Sequence, residues 1–503
     1  MSKSINTNKN RKKSEAKDGK LRKLGFILCF IQLVISAVFC YILINSQMIP
    51  VKYCILISIL LAIIYFVFCF MQLKKNVGIV AKILSVTLSV SLIVLCQATI
   101  SGIDAINKIT ETGTKIDTVD VYVNADDSAE TLNDLASHKF GILSTLNRNN
   151  TDKAIEYIKS ELDNLIVVLE YENIQELTNA LYNKDVDAMI INQAYLSLIT
   201  EMEGFEDFNS RVKLIKSIEI ESIAIVKKTE HEITKNPFII FISGADKYGT
   251  SLAPDRSDVN IIAVVNPATK QVLLQSTPRD YFIPLASSKG VKDKLTHAGL
   301  YGIDESIKTL EMLYDIDVNY YFRMNFTGFI EIIDALGGVD VESDYTFKTV
   351  DDKTFEKGTN TLSGEDALSF VRERKAFKIG DLQRGIHQMA VIEALLNKVK
   401  SPAILAGYSS IIQSVGDYFQ TNFDYEEIAA LVKMQLGDNA DWNIVSNHAG
   451  GYEEYHYLYT MPNRKQSVII PDMKTIEESK ILINKVLSGE IINSESAQDT
   501  PNE

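Results

Sequence analysis

Nine arginines occur in residues 101–503, and six of them fall between positions 256 and 384. Elsewhere the chain prefers lysine, so this concentration carries information. A guanidinium is a planar fork that matches phosphate oxygens two at a time and keeps its charge when buried. The bland alternative is a set of unrelated surface ion pairs with the abundant carboxylates. Spacing sharpens the choice. Arg372 and Arg374 lie two apart, so on an α-helix they would diverge by about 200°. To grip one anion together they must sit where a helix ends, or in extended chain. Arg384 and Gln388 lie four apart and share a helix face. Arg256 and Asp258 lie two apart beside a strand start, so in extended chain they face the same side. Such a mixture of cations and acids suits a pyrophosphate bridged by a divalent cation. Asp246 and Asp258, at strand ends, are the candidate hard-oxygen ligands, against the ordinary role of a turn aspartate as a cap.

Other chemical signals fail. Gly244-Ala-Asp-Lys-Tyr-Gly249-Thr-Ser resembles a phosphate loop but lacks the lysine after the second glycine. No Gly-x-Ser-x-Gly elbow occurs. The six histidines (138, 231, 297, 387, 448 and 456) have no zinc spacing. His297 and His387 could line a site, but a core or surface role is the plainer reading for each.

The arginines sit in a strongly polarised chain of 503 residues with formal net charge −14. Residues 1–23 hold nine Lys/Arg and two acids, and residues 24–100 hold four lysines and no acid, so the first hundred residues sum to +11 and the rest to −25. The overall acidity argues against nucleic acid as a partner. Three apolar runs, 24–46, 51–73 and 77–98, each match the roughly 20 residues that cross a bilayer. Three such runs do not fit a cleaved signal peptide. The basic residues of 1–23 and the Lys74–Lys75 link outweigh the single Lys52 of the other link, which predicts a cytoplasmic N-terminus and residues from about 101 onward outside. All five cysteines (29, 40, 54, 69 and 96) lie inside the runs, so the outer body has no disulfide and no thiol metal site. The Lys, Asn and Ile richness suits a low-GC, Gram-positive bacterium.

Six segments follow: a basic cytoplasmic tail (1–23), three transmembrane helices (24–100), a linker (101–117), a small α/β accessory domain (118–232), a main domain (236–490) and a polar, disordered tail (491–503). Within 118–232, strand patterns at 119–123, 140–144, 165–169 (a buried strand), 186–191 and 218–226 alternate with helical patterns at 152–162 and 174–181. The main domain reads as a sheet sandwiched by helices. Strands are expected at 238–242, 318–324, 339–342, 442–445 and 467–470. Residues 259–265 and 271–275 form a hairpin across Asn-Pro-Ala-Thr-Lys. Helices are expected at 297–313, 326–336 (stopped by Gly337-Gly338), 381–399, 404–415, 425–436 and 473–487. Another is capped by Ser363 with Asp366 three residues on.

Eight stretches in order, from 238 to about 401, resemble the LytR-CpsA-Psr family, and most its CpsA branch from capsule loci. They are Asp255-Arg-Ser-Asp-Val-Asn260, Ser276-Thr-Pro-Arg-Asp-Tyr281, Lys294-Leu-Thr-His-Ala-Gly299, Tyr320-Tyr-Phe-Arg-Met-Asn-Phe326, Asp334-Ala-Leu-Gly-Gly-Val339, Leu362-Ser-Gly-Glu-Asp-Ala367, Val371-Arg-Glu-Arg374 and Asp381-Leu-Gln-Arg-Gly385. The three-span head and the accessory domain are similar to that branch with weaker specificity. The resemblance implies an α-β-α sandwich and a membrane-anchored phosphotransferase. Its expected reaction moves a glycopolymer, here capsular polysaccharide, with its phosphate from a polyprenyl-pyrophosphate carrier to a muramic acid 6-hydroxyl of peptidoglycan, assisted by Mg2+ or Mn2+. Carried across by motif, Arg256, Arg279, Arg372, Arg374, Arg384 and Gln388 would hold the pyrophosphate, and Asp246 and Asp258 the cation. Arg256, Arg279, Arg372 and Arg374 would act in catalysis with Asp381 as the candidate base and Asp280 beside it. The apolar faces of 297–313, 326–336 and 388–399 could form a lipid tunnel. Expected partners are the lipid-linked polymer, peptidoglycan, the membrane and other capsule-assembly proteins. Two alternatives stay open: a non-catalytic transcriptional or capsule regulator, which the "transcriptional regulator" label given to this family suggests, and a polyprenyl-pyrophosphate phosphatase using water as acceptor.

Overall fold

The computed structural model describes residues 2–110, 114–144, 148–162, 166–223, 232–249, 254–288, 290–399, 418–462 and 464–493. The chain divides into two compact units. The first begins with α1 (Ser2–Asn45), α2 (Val51–Met71) and α3 (Lys75–Thr110). All three are long and apolar enough to cross a membrane, over Gly19–Asn45, Val51–Met71 and Val77–Asn107. The basic segment 1–23 is thus the N-terminal part of α1. Residues 101–117, expected as a linker, are instead helix as far as Thr110 and strand from Thr114. Most apolar side chains of these helices are exposed, as a lipid-facing surface requires.

The second unit opens with a five-stranded sheet. Its strands are β1 (Thr114–Asn124), β2 (Lys139–Leu143), β3 (Val167–Tyr171), β4 (Ala188–Asn192) and β5 (Val212–Ile223), in spatial order β3-β2-β4-β1-β5. Helix α4 (Arg148–Glu161) covers one face through Ala154, Ile155 and Ile158. Helix α5 (Ile174–Tyr182) covers the other through Ile174, Leu177 and Leu181. The Asn173 side chain caps α5 by accepting from the Glu176 N–H at 2.9 Å. Strand β3 was expected to be buried. It is the edge strand, and Val167 and Leu169 are exposed.

Next come β6 (Phe238–Ala245), β7 (Ser257–Asn266), β8 (Gln271–Ser276) and a small hairpin, β9 (Phe282–Pro284) with β10 (Lys292–Lys294). The expected helix 297–313 is broken. A short turn, Leu295–Ala298, runs through Gly299–Tyr301 into α6 (Ile303–Tyr314). The break is Gly302, at φ 104° and ψ 171°, a backbone region closed to other residues. Apolar periodicity continues across it, which is why the sequence hides the kink. Then follow β11 (Tyr320–Asn325), α7 (Phe326–Ala335), the antiparallel pair β12 (Val339–Ser343) and β15 (Gly358–Leu362), and between these β13 (Phe347–Lys348) with β14 (Thr354–Phe355). Helix α7 ends as expected at Gly337 and Gly338, both at positive φ. Helix α8 (Gly364–Arg372) starts at the Ser363 cap, and α9 spans Asp381–Val399. The helix expected at 404–415 lies outside the described residues. Strands β16 (Phe419–Thr421), β17 (Asn443–His448), β18 (Gly451–Tyr457) and β19 (Lys465–Pro471) follow, the last two as a hairpin.

The central sheet has the order β16-β11-β6-β7-β8-β17, with β11 parallel to β6, β17 parallel to β8, and the remaining pairs antiparallel. One face buries Phe241, Ile262 and Leu273 under α6 and α11 (Met473–Ser488). The other face carries Ile242 and Met324 toward α7, α8 and α9. The result is an α-β-α sandwich of mixed α/β class. Of the segment 491–503, expected to be disordered, residues 491–493 are described, and there Ile492 is buried in this core and its carbonyl accepts from Asn443.

Helix α10 (Tyr425–Asp438), expected within the main domain, groups instead with the three long helices. The Tyr425 hydroxyl donates to the Ser46 carbonyl, and Lys52 donates to the Gly437 carbonyl, each at 2.7 Å. Met48, Ile106 and Ala429 form a small apolar cluster there.

Gly302→Ala should destabilise the second unit by about 1–3 kcal/mol, because a Cβ is strained at that φ/ψ. Denaturant unfolding of the detergent-solubilised chain checks this, with a lower midpoint expected.

Candidate active site

The site forms where β6, β7 and the turn after β8 meet α8 and α9. Register along β6 and β7 pairs Gly244 with Val259 and Ala245 with Ser257, leaving Asp258 as an unpaired extra residue. This β-bulge re-aims the side chains on either side of it. Asp258 turns into a cavity, whereas Arg256, two residues earlier, does not share its face.

Arg279 lies at the centre. Its Nη1 donates to Asp258 Oδ2 at 2.5 Å, and its Nε lies 3.7 Å from Asp280. Arg384, on α9, approaches Asp258 to 3.9 Å, and Lys294 sits 3.0 Å from Asp280. Thr296 adds a hydroxyl donor to Asp258 at 3.2 Å, and its N–H donates to the Arg279 carbonyl. Burial alone would raise the Asp258 carboxyl, but the charges of Arg279 and Arg384 hold it below the ordinary carboxylate range. Burial likewise opposes ionisation of Asp280, and Lys294 and Arg279 override it. Asp246, at the end of β6, goes the other way. Burial and the neighbouring Asp258 charge raise it, and Arg372 and Arg279 only partly offset them.

Arg372 is the last residue of α8 and Glu373 leaves in extended conformation, so Arg372 and Arg374 both reach one cavity, as their spacing required. The buried Glu373 accepts from the Val350 and Ala376 N–H groups, both at 2.9 Å, and so fixes the turn between the two arginines. The Arg372 guanidinium lies over the Phe326 ring at 4.5 Å and 3.9 Å from Asp246. Arg384 and Gln388 line the same cavity from α9.

The cavity holds about 240 Å³. One part of its lining is charged. The rest is apolar, with Phe326 and Phe329 from α7, Leu368 and Val371 from α8, and Ile392 and Leu395 from α9. Helix α6 contributes nothing to it; Ile303, Ile307 and Leu310 belong to the core on the opposite face of the sheet. A cavity of this kind accepts an amphiphile with an anionic head.

Of the sequence-selected residues, Asp246, Asp258, Arg279, Arg372, Arg374, Arg384 and Gln388 line this cavity; Arg256 and Asp381 do not. Arg256 pairs with Glu201 of the five-stranded domain at 2.6 Å and borders a second, polar cleft. Asp381 opens α9, pairs with Arg384 Nη2 at 2.5 Å and borders a small space beside Ser276 and His448. Burial raises its carboxyl, and Arg384 offsets this only partly. Arg323, the remaining arginine of the run, is buried and does not line the cavity; burial pulls its guanidinium down, and the Asp255 charge opposes this only in part. His387 is a core residue. It stacks on Phe347, and burial pushes it down to about 4. The α8 lining, Leu368 and Val371, had no sequence signal beyond ordinary helical periodicity.

Asp246 and Asp258 suit a divalent cation: both are hard oxygen donors on one cavity, and burial, with the neighbouring Asp258 charge second, raises the Asp246 carboxyl, a cost that a bound cation would relieve. Among the described residues no group of three or more His, Cys, Asp or Glu could hold a metal unaided. Phosphate oxygens and water would have to complete the shell.

The LytR_cpsA_psr family matches residues 208–470, over half of the chain, and the chain belongs to that family. The match leaves the three long helices and most of the five-stranded domain outside it. A relative from Bacillus cereus (strain AH820), the polyisoprenyl-teichoic acid–peptidoglycan teichoic acid transferase TagU, is 35% identical over 236 residues, 46% of this chain and 77% of that protein. TagT of Bacillus subtilis (strain 168), named for the same activity, is 34% identical over 40% of this chain and 65% of its own length. The crystal structure of B. subtilis TagV shares 28% identity over 51% of this chain and 99% of that one, with a TM-score of 0.43.

Asp258 and Asp280 are both held below their unfolded value of about 4, so their stabilisation is complete above that pH and lost as pH falls through the depressed folded values. Arg279→Gln should therefore cost about 3–5 kcal/mol at pH 7 by leaving buried charge uncompensated. The difference from wild type should narrow at pH 3. Denaturant melts at the two pH values measure it.

Proposed function

We propose that this protein is a membrane-anchored transferase that moves a glycopolymer with its phosphate from a polyprenyl-pyrophosphate carrier to a peptidoglycan hydroxyl. The observation that carries the reading is the bipolar cavity: Arg279, Arg372, Arg374 and Arg384 share its lining with an apolar wall of Phe326, Phe329, Leu368, Val371, Ile392 and Leu395. The arginines would hold the pyrophosphate and the apolar wall the first isoprene units. Phosphoryl transfer asks mainly for positioning and for stabilisation of charge on the phosphorus oxygens. Fixed guanidinium groups in a partly buried site supply both without reorganisation. The pyrophosphate carries its own driving force, so no energy cofactor is required.

Asp246 and Asp258 would hold Mg2+ or Mn2+, which when bound would neutralise the leaving phosphate. Charge counting supports a cation. The network and the cavity lining contain Arg279, Lys294, Arg372, Arg374 and Arg384 against Asp246, Asp258, Asp280 and Asp381, a surplus of one positive charge. That is less than a pyrophosphate diester brings.

The proposed topology has the N-terminus in the cytoplasm and the second unit on the outer face of a Gram-positive membrane. The contact of α10 with Ser46 and Lys52 fits its crossing pattern, because the connection between the first two helices then shares a side with residues 425–438, and the Lys/Arg placement gives the direction. For the polymer we propose capsular polysaccharide, from the similarity of the three-span head and accessory domain to the CpsA branch. Teichoic acid is the second reading, favoured by the names of the relatives.

Chelation by EDTA should lower transfer at least about tenfold, with recovery on adding Mg2+ or Mn2+. Asp246→Asn should blunt that recovery. Leu395→Glu should raise the KM for the lipid-linked donor by placing a charge on the apolar wall of the cavity. Transfer of label from capsular or teichoic donors to peptidoglycan oligosaccharides measures all of these. Release of free polymer phosphate without acceptor labelling would favour the phosphatase instead.

A further inference from the structure

Arg279 borders three spaces: the bipolar cavity, the small space beside Ser276 and His448, and a polar cleft of about 200 Å³. The cleft is lined by Glu201, Arg256, Asp280, Lys294, Thr296, His297 and Gln466, together with Leu458 and Met461. The five-stranded domain supplies Glu201, which pairs with Arg256 at 2.6 Å. Arg256 Nε and Arg279 Nε make no hydrogen bond among the described residues. Carboxylates, cations and an amide converging on unpaired N–H donors suit the hydroxyls of a sugar.

His297 is the one histidine on this cleft. Its Nδ1 lies 2.7 Å from Asp293 Oδ1, and Asp293 is fully buried. The Asp293 carboxylate is itself fixed, since its Oδ2 accepts from the Thr460 N–H at 2.8 Å. The Thr460 hydroxyl also approaches Nδ1, at 3.0 Å. A carboxylate on Nδ1 sets the tautomer that leaves Nε2 as the acceptor. The break at Gly302 keeps this short turn separate from α6, so His297 stays on the cleft while α6 enters the core. The next residue back, Thr296, is tied to both the Arg279 carbonyl and Asp258.

We propose that this cleft binds the acceptor glycan and that His297, oriented by Asp293, is the general base for its attacking hydroxyl. The inference rests on the transferase reading above. In-line displacement needs the nucleophile and the leaving group on opposite sides of phosphorus. With the lipid in the apolar cavity and the phosphate on Arg279, the cleft offers the nucleophile an approach to Arg279 that carries a histidine oriented by a buried carboxylate, and at about 200 Å³ it is roomier than the small space beside Ser276. The acceptor oxygen forms a bond to the phosphorus bearing the glycopolymer, and its proton passes to His297 Nε2. The phosphoanhydride bond breaks, and its electron pair leaves with the polyprenyl phosphate, whose charge the arginines of the cavity meet.

The test uses the full chain in detergent, a polyprenyl-pyrophosphate-linked glycan and a peptidoglycan oligosaccharide. His297→Ala should lower the kcat of transfer by about 10²–10⁴, the usual worth of a general base, with the donor KM changed less than about twofold. Added imidazole should restore part of that loss. Asp293→Asn should lower kcat, and Gln466→Ala should raise the acceptor KM by about tenfold. Wild-type kcat in His297→Ala would overturn the base assignment, as would a loss that imidazole does not repair together with a fall in melting temperature. A rise in donor KM rather than acceptor KM in Gln466→Ala would overturn the acceptor cleft. Failure of the wild-type chain to label any acceptor would instead remove the transferase reading, and the proposal with it.

Discussion

Arg279 lies largely out of water between two carboxylates, and much of the second unit is arranged so that this can happen. A cation out of water is tolerated only where opposite charge and hydrogen bonds replace its hydration. Asp258 is delivered by the bulge on β7, Asp280 by the turn after β8, and the counter-cations of those acids by α9 and by Lys294. The turn is pinned from below by Thr296. Each partner belongs to a different element, so the network joins the sheet, the helix layer and the segment before α6. It also presents a guanidinium already oriented and already desolvated to any anion that enters.

The parts of this arrangement that depend on local spacing are visible in the sequence. Arg384 and Gln388 share a face because helices repeat. Arg372 and Arg374 converge because the helix ends between them. The three spans announce themselves by hydropathy and by 77 residues without an acid. What escapes is set by contacts between distant residues or by a single backbone irregularity. One extra residue in β7 reverses the alternation that would have put Arg256 beside Asp258. One glycine at position 302 interrupts a periodicity that otherwise reads as a continuous helix. Strand β18 carries exposed Tyr452, Tyr455 and Tyr457 among acids, with no apolar alternation to reveal it. The Glu201–Arg256 pair spans 55 residues of sequence and two domains, and no local pattern encodes it.

The five-stranded domain is not a separable module. Its cluster of Tyr195, Leu198, Ile199, Phe205 and Phe208 continues into Leu300, Leu458, Met461 and Val468 of the main domain. Tyr195 and Tyr301 meet ring to ring at 5.8 Å. A shared core of this kind holds Glu201 in fixed relation to Arg256, which a flexible tether could not do. The polar cleft therefore inherits its dimensions from both domains.

Helix α10 has a consequence for handling and for ancestry. The chain enters the anchor at its beginning and returns to it more than three hundred residues later, so the anchor is a discontinuous assembly. A secreted fragment starting beyond the third span would carry α10 without Met48 and Ile106, leaving Ala429 and its neighbours Ile428 and Val432 bare to water. Such a fragment invites self-association through that stripe. For the same reason a foreign transmembrane segment could not simply replace the native one: the graft would have to reproduce the bed on which residues 425–438 lie.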